Sequence, residues 1–503
     1  MNNRFLTKLA KTTPASKTPS YENEKPHVQD SLRKLEDHNG VITEWSTGSG
    51  KSKNFLLAVE REHVRSPDAR ALILAPASLV TNVDKEIRKH GLKVDRKRLD
   101  VYSYEKATRI ADELKKNKYA IAVADEAQKL RNANTQRTRE LSEVLSNADK
   151  RLLATATANF NHSADIAPLV NIAHGSKILP ENPKEFEQIF IGKEKLPRSI
   201  KDIILRKPAQ EVDALKNKGV LKELFKRHVS YYDSAEDPEA AKHFPKVTET
   251  THEVEMSPHQ VRMYKFMEND LPFWIKMKIR YNLPMDKQEK AAMNSFSSGV
   301  RQVSNSTRQL VQDRDSEEAT PKIQKAVGSL VSKMGKDKNF RGLVYSNYLD
   351  AGTDEYSRKL SEHKVPHVVF TGKLTKDQKD QAVKDYNSGK VKVLIVSSSG
   401  SEGLDLKGTK LTQVLEPHFN PSKIKQVKGR GARFKSHEHL PEEERNMEVE
   451  HYLSVFPKSS FGTPYTSIDK YLAGMSDDKQ VIFNQIKDVM RDANGKKKPE
   501  AKQ

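Results

Sequence analysis

The sequence predicts an α/β protein with two doubly wound parallel sheets and a mainly helical stretch between them. Three observations carry that expectation. Short apolar runs recur in two separate blocks, helical stretches alternate with them, and the segment between the blocks is polar and lysine-rich. Continuous rather than alternating apolar runs suit parallel strands covered by helices on both faces. Strand–helix alternation is βαβ order.

In the first block the strand candidates are VIT (41–43), ALILA (71–75), VYS (101–103), AIAVA (120–124) and RLLAT (151–155), with KNFLLAVEREHV from Lys53 as an intervening helix. In the second they are GLVYS (342–346), HVVF (367–370), VKVLIV (391–396) and LTQVL (411–415), with a helix in KDQKDQAVKDYN from Lys376. The expected organisation is a basic disordered arm over 1–20, a first α/β domain over 21–174 and a helical insertion and linker over 175–335. A second α/β domain follows over 336–455, then a helical extension over 456–490 and a basic disordered tail over 491–503.

A chain of 503 residues has room for two or three cores. Lys and Arg number 88 against 68 acids, giving +20. That excess favours a polyanionic partner, nucleic acid being the commonest, although a solvated lysine surface has the same composition. The absence of cysteine excludes disulfides and thiolate zinc sites and fits an intracellular setting. No apolar run approaches the ~18 residues of a membrane span, and the first twenty residues lack the apolar core of a secretory signal. The expectation is a soluble protein of the cytoplasm or a host-cell cytoplasm, with the nucleus left open.

The stretch EWSTGSGKS (44–52) follows a strand candidate and opens a helix. A phosphate cradle needs that context, with glycine amides turned inward and a helix N-terminus behind them. Thr47, Gly48, Ser49 and Gly50 would form the cradle, Lys51 would reach the β- and γ-phosphates, and Ser52 would offer its hydroxyl to Mg²⁺. Trp45 stands where the pattern asks for its first glycine, and taken alone the stretch reads equally as a plain strand-to-helix turn. In AIAVADEAQKL an apolar strand runs into Asp125 and Glu126, at the strand end where ligands sit in parallel sheets. Asp125 would hold Mg²⁺ partly through water and Glu126 would polarise the attacking water; an acidic helix start is the plain alternative. In KIKQVKGRGARFKSH, Arg430 and Arg433 are three apart, as on one helical face, so that both could reach one phosphate. The alternative is a basic helix that only binds phosphates of a nucleic acid.

WSTGSGKS, ADEAQ and the strand-end TAT at 155–157 together resemble superfamily two helicases and translocases, and DEAQKLRNANTQRTREL is similar to the Swi/Snf-type branch. The resemblance implies two RecA-like domains that bind ATP and Mg²⁺ in their cleft and couple hydrolysis to movement along DNA. It makes Lys51, Glu126, Arg430 and Arg433 catalytic, and gives Gln29 to the adenine. Gly403 and Asp405, in VKVLIVSSSGSEGLDLKG, join the nucleotide set. Thr155, Ala156, Thr157 and Gln426 would couple nucleotide state to nucleic-acid grip. Pro76, Ser78, Tyr102, Ser103, Ser346, Thr371, Gly372 and Ser399 would lie near the DNA backbone, in contacts that position without reading sequence. A softer likeness in ELFKRHVSYYDSAEDPEAAKHFPKVTETTHEVEMSPHQVRMY links the chain to large-virus nucleoside triphosphatases and phage relatives. Within it the Tyr231–Tyr232 pair could stack on single-stranded bases, or could be strand or core residues. Trp45 and Ala158, the latter where relatives have proline, depart from the pattern. A DNA helicase or translocase is the expectation, with RNA as a possible track. Its rival is a catalytically silent nucleic-acid-binding scaffold of the same fold.

Overall fold

The computed structural model describes residues 20–66, 68–156, 162–195, 211–285, 287–308, 321–397, 404–417, 421–458 and 465–496. The chain divides into two units, one of Met1–Glu236 with Val481–Gln503 and one of Asp237–Gln480. Residues 1–19 of the predicted arm, 497–503 of the predicted tail, and Thr157, Ser399 and Gly403 lie outside the described residues.

In the first unit, strands β1 (Gly40–Trp45), β2 (Ala71–Ala75), β3 (Leu99–Ser103), β4 (Ile121–Asp125) and β5 (Lys150–Thr155) form where the apolar runs predict them. A small antiparallel pair follows, β6 (Ile191–Lys195) with β7 (Glu211–Leu215), and then β8 (Val229–Tyr232). The main sheet runs β3-β2-β4-β5-β1-β8 and every pairing in it is parallel. Alternate strand residues feed two cores. Ile42, Leu72, Leu74, Ala122 and Leu153 pack with Leu141 and Leu145 of the helix Gln136–Ser146 and Leu169 of the helix Ile166–His174. Val41, Ile73, Val123 and Leu152 pack on the other face with Leu32 of the helix Pro26–His38 and Phe55 and Leu56 of the helix Lys51–Arg65. Burial on both faces is why these strands carry no polar alternation.

In the second unit, β9 (Lys246–Glu255), β10 (Gly342–Ser346), β11 (His367–Phe370), β12 (Val393–Ser397), β13 (Leu411–Val414) and β14 (Asn446–Val455) make a parallel sheet of order β11-β12-β10-β13-β14-β9. Its two faces are again both buried, Val344 and Ile395 on one, Leu343, Tyr345 and Val396 on the other. A helical lobe adjoins this sheet, formed by Pro258–Met267, Phe273–Arg280, Lys287–Phe296 and Ser298–Asn305. Tyr264, Ile275, Ile279, Val300 and Val303 fill its core together with Ile468 and Leu472.

The structure revises the expected insertion and extension. The span 175–335 is not one helical body: β8 completes the first sheet, β9 completes the second, and the helical lobe belongs to the second unit. The expected extension is the helix Ile468–Ala493, and the division between units falls inside it. Its first turns sit in the core of the helical lobe, while Ile482, Ile486, Val489 and Met490 sit in that of the first unit. Among the described residues no helix is long and apolar enough to cross a membrane.

Candidate functional site

The glycine loop leaves the C-terminal end of β1 and enters the helix Lys51–Arg65. Gly48 (φ 82°) and Gly50 (φ 91°) both take the left-handed backbone that a side chain resists, which turns the chain sharply at the helix start. Trp45 does not close the cradle. It is the last residue of β1, fully buried, with its indole Nε1 donating to Ser230 Oγ at 3.2 Å. His27 meets the Trp45 ring edge-on at 4.6 Å and stacks on Tyr232 at 3.8 Å. The His27 Nε2 lies 3.0 Å from the Ser49 carbonyl, so an aromatic slot grips the loop from behind. The loop is tied further by Ser49 Oγ donating to the Ser46 carbonyl at 2.7 Å and by Ser46 Oγ accepting from Ser234 N at 2.9 Å. Thr47 and Ser52 are half-buried. Lys51 Nζ donates to the carbonyls of Trp45 (3.0 Å) and Ser46 (3.1 Å), so its ammonium lies over the loop.

At the end of β4, beside β1's neighbour β5, Asp125 and Glu126 stand together. Glu126 adopts a left-handed backbone (φ 54°), uncommon for a side-chain-bearing residue and typical of strained functional turns. Burial and then the Glu126 charge push the Asp125 carboxyl well above the ordinary carboxylate range, and Lys51 pulls it partly back. A cavity of about 100 Å³ opens here, its walls including Ser52, Asp125, Phe55, Leu79 and Glu86. Paired carboxylates beside a hydroxyl are the hard-oxygen setting that a Mg²⁺ ion suits. Ser52 and Asp125 line the same cavity and are the residues that could hold such an ion together with nucleotide phosphates.

A side-chain relay leaves this site. Gln128 Nε2 donates to Glu126 Oε2 at 2.6 Å, and Thr155 Oγ1 at the end of β5 donates to Gln128 Oε1 at 2.9 Å. Tyr104 supports the strand end from below, its hydroxyl donating to the Asp125 carbonyl at 2.7 Å. Gln128 and His27 were not assigned from sequence. Gln128 stands in the ADEAQ box, which was its only signal, and nothing near His27 in the chain announces its contact with Ser49.

The other expected residues scatter more. Gln29 holds the preceding turn, donating to the carbonyls of Glu22 and Glu24 at 2.8 Å each. Pro76 precedes the short helix Ala77–Val80, which contains Ser78, and Ser103 caps the helix Tyr104–Arg109 through the Lys106 amide. The Lys106 ammonium lies 4.8 Å from the centre of the Tyr102 ring. Thr371 and Gly372 lie in the turn after β11, the latter exposed. Ser346 departs from its expected role facing DNA. It is fully buried and donates to Glu416 Oε1 at 2.6 Å, helping Asn347 and Asn305 to satisfy a buried carboxylate. Ala156 follows β5 directly.

In the second unit Gln426 and Arg430 lie on the helix Pro421–Gly431. Arg433 does not share that helix face, because the helix ends at Gly431. Its Nε folds back to the Gly429 carbonyl at 3.2 Å, and its guanidinium stands 3.5 Å from Asp405 Oδ1. An expected catalytic residue and an expected nucleotide-binding residue are thereby adjacent, with Asp405 largely exposed.

Comparison with known proteins bears on this arrangement. Residues 61–315 match the model of the SNF2-related domain and residues 322–435 that of the helicase conserved C-terminal domain. The chain belongs to the SNF2-related family. A protein of Acanthamoeba polyphaga mimivirus, named as an ATP-dependent RNA helicase, is 28% identical over 475 residues, covering 93% of this chain and 97% of its own. An African swine fever virus homologue of a termination factor is 33% identical over 138 residues, 26% of this chain and 19% of its own length. Among solved structures, the SWI2/SNF2 ATPase core of Sulfolobus solfataricus in complex with double-stranded DNA is 17% identical, covers 88% of this chain and 89% of its own, and has a TM-score of 0.37. This SNF2-family chain thus carries the helicase-type pair of domains, and the relatives named above with their identities are viral proteins.

Proposed function

We propose that this SNF2-family chain hydrolyses ATP with Mg²⁺ and uses the cycle to move along DNA as a helicase or translocase. The observation that carries the reading is the constellation at the C-terminal ends of β1, β4 and β5, where Lys51, Asp125, Glu126, Gln128 and Thr155 form one connected site. Lys51 and the loop amides would hold the β- and γ-phosphates, and bound Mg²⁺ would neutralise their charge. Glu126 would take a proton from the attacking water, and Gln128 would link it to Thr155. Arg430 and Arg433 would offset charge that builds on the transferred phosphoryl. Gln29 would sense the base, and Thr155 would report the state of the site. A scaffold without catalysis would need none of these together.

RNA is a second track, favoured by the name of the mimivirus relative; the resemblance of LAPASLVTN and YSYEKA to DNA-contacting motifs supports DNA. The test measures ATP hydrolysis alone and with single-stranded DNA, duplex DNA and RNA. Lys51→Ala and Glu126→Gln are each expected to lower the stimulated rate by at least ~10²-fold. Stimulation by one polymer names the track, and a strand-displacement assay on it separates unwinding from translocation. Binding of DNA with no hydrolysis by wild type would establish the scaffold instead.

A further inference from the structure

The helical lobe of the second unit exposes aromatic side chains that its own core does not use. Trp274 is 72% exposed, Phe273 59%, Phe266 68% and Tyr281 54%, in a lobe whose core keeps Tyr264, Ile275 and Ile279 buried. Trp274 and Phe273 open the helix Phe273–Arg280, with ring centres 5.4 Å apart at 74°. Tyr281 caps the end of that helix, its exposed ring meeting Tyr465 edge-on at 5.8 Å. Single exposed apolar residues are ordinary, but several large rings on one lobe mark an interaction surface.

The charges around them select the partner. Glu268 is consumed by Arg280 and Glu289 by Lys278, both inside the lobe. Among the described residues Arg262 and Lys265 are exposed and show no ion pair, and Lys276 donates to the neutral Asn269 Oδ1 at 3.3 Å. A lobe that carries both exposed rings and unpaired cations suits single-stranded nucleic acid, since bases stack on the rings and phosphates follow the cationic groups. The tyrosines that the sequence offered for stacking, Tyr231 and Tyr232, are buried in the first unit instead.

We propose that the lobe face carrying Phe273, Trp274 and Tyr281 binds single-stranded nucleic acid by stacking. The proposal rests on the reading of the chain as a nucleic-acid motor and adds a contact outside the nucleotide site. The chain's two tryptophans make it directly testable, because Trp45 is fully buried and Trp274 is open to solvent. The full chain is titrated with oligothymidylate and with oligouridylate while tryptophan emission is followed, and poly-glutamate serves as a polyanion without bases. Oligonucleotide is expected to quench the iodide-accessible emission, and the stronger of the two names the sugar. Trp274→Ala is expected to weaken oligonucleotide affinity about five- to hundredfold, with hydrolysis in the absence of nucleic acid unchanged. Trp274→Phe should keep most of the affinity and lose the quenching, which also covers a Trp274→Ala protein that does not fold. Quenching that persists in Trp274→Phe, or an affinity unchanged in Trp274→Ala, overturns the proposal. Quenching by poly-glutamate alone overturns it in favour of an acidic protein partner. A chain that hydrolyses no ATP on any polymer yet shows Trp274 quenching removes the motor reading and leaves this face intact.

Discussion

Burial and the neighbouring Glu126 both disfavour charge on Asp125, with Lys51 opposing them. A carboxyl whose folded pKa lies above its unfolded one favours the folded state most below the unfolded pKa. That advantage disappears as pH rises through the folded value. Asp125→Asn is therefore expected to raise the melting temperature at pH 8 by ~2–4 °C, the equivalent of ~1 kcal/mol, and to leave it unchanged at pH 4. Calorimetry at the two pH values checks this, and the same substitution should abolish hydrolysis. Gln128 links Glu126 to Thr155, which makes it a positioning residue. Gln128→Ala is expected to leave unstimulated hydrolysis within a few-fold and to cut the stimulation by nucleic acid about tenfold, within the range of typical coupling energies. Equal losses in both rates would reduce Gln128 to a packing role. Lys51, Ser52, Asp125 and Glu126 were legible because their chemistry is written in consecutive residues. His27 on Ser49 and Ser346 on Glu416 were not, because each contact is made by residues far apart in the chain.

The strands β9, β14 and β8 escaped the sequence reading for separate physical reasons. β9 is an edge strand of sequence KVTETTHEVE, mostly exposed, and it has no apolar run to find. β14 alternates acids with Met447 and Val449, which resembles a half-buried strand rather than one inside a parallel sheet. β8 is only four residues long. Where strands do meet covering helices, the fit is close. A Cβ at Gly40 would lie 1.8 Å from the Ala173 carbonyl oxygen, a backbone atom that cannot swing aside. Gly40→Ala is expected to destabilise the first unit by ~3 kcal/mol or more, of the order of overpacking in a closed core, measured by urea unfolding. The helix Lys218–His228 ends on another such contact, His228 Nδ1 lying 2.9 Å from the Gly40 carbonyl. Burial chiefly, with His174, His38 and Arg151 adding to it, depresses His228 to about 4. The folded state then binds fewer protons than the unfolded chain between about pH 6.5 and 4, so stability falls as pH drops through that window, by up to roughly 3 kcal/mol. His228→Asn, which keeps a donor for Gly40, is expected to flatten that slope in acid-unfolding curves.

At the scale of the molecule, the two-block architecture was plain from the apolar runs, but the ownership of its last helix was not. An apolar stripe shows that a helix packs without naming what it packs against. Residues 481–496 complete the first unit: Ile482, Ile486 and Met490 enter its core, and Asn494 Oδ1 accepts from the buried Lys34 ammonium at 2.7 Å. Arg491 pairs with Glu236 at 2.6 Å, and Gln485 Oε1 accepts from the Leu215 amide at 2.7 Å. Ending the chain after Gln480 is expected to cost the first unit on the order of 5 kcal/mol from lost apolar burial. In urea its transition should move to lower concentration while that of the second unit stays. The same return of the chain sets a timetable for synthesis. Some 240 residues separate the two pieces of the first unit, and a ribosome adding ~5–20 residues per second needs roughly 12–50 s to cross them. During that interval the nascent first unit presents the apolar groove meant for Ile482 and Met490 to whatever is near. Its translation is the moment at which this protein most needs a chaperone.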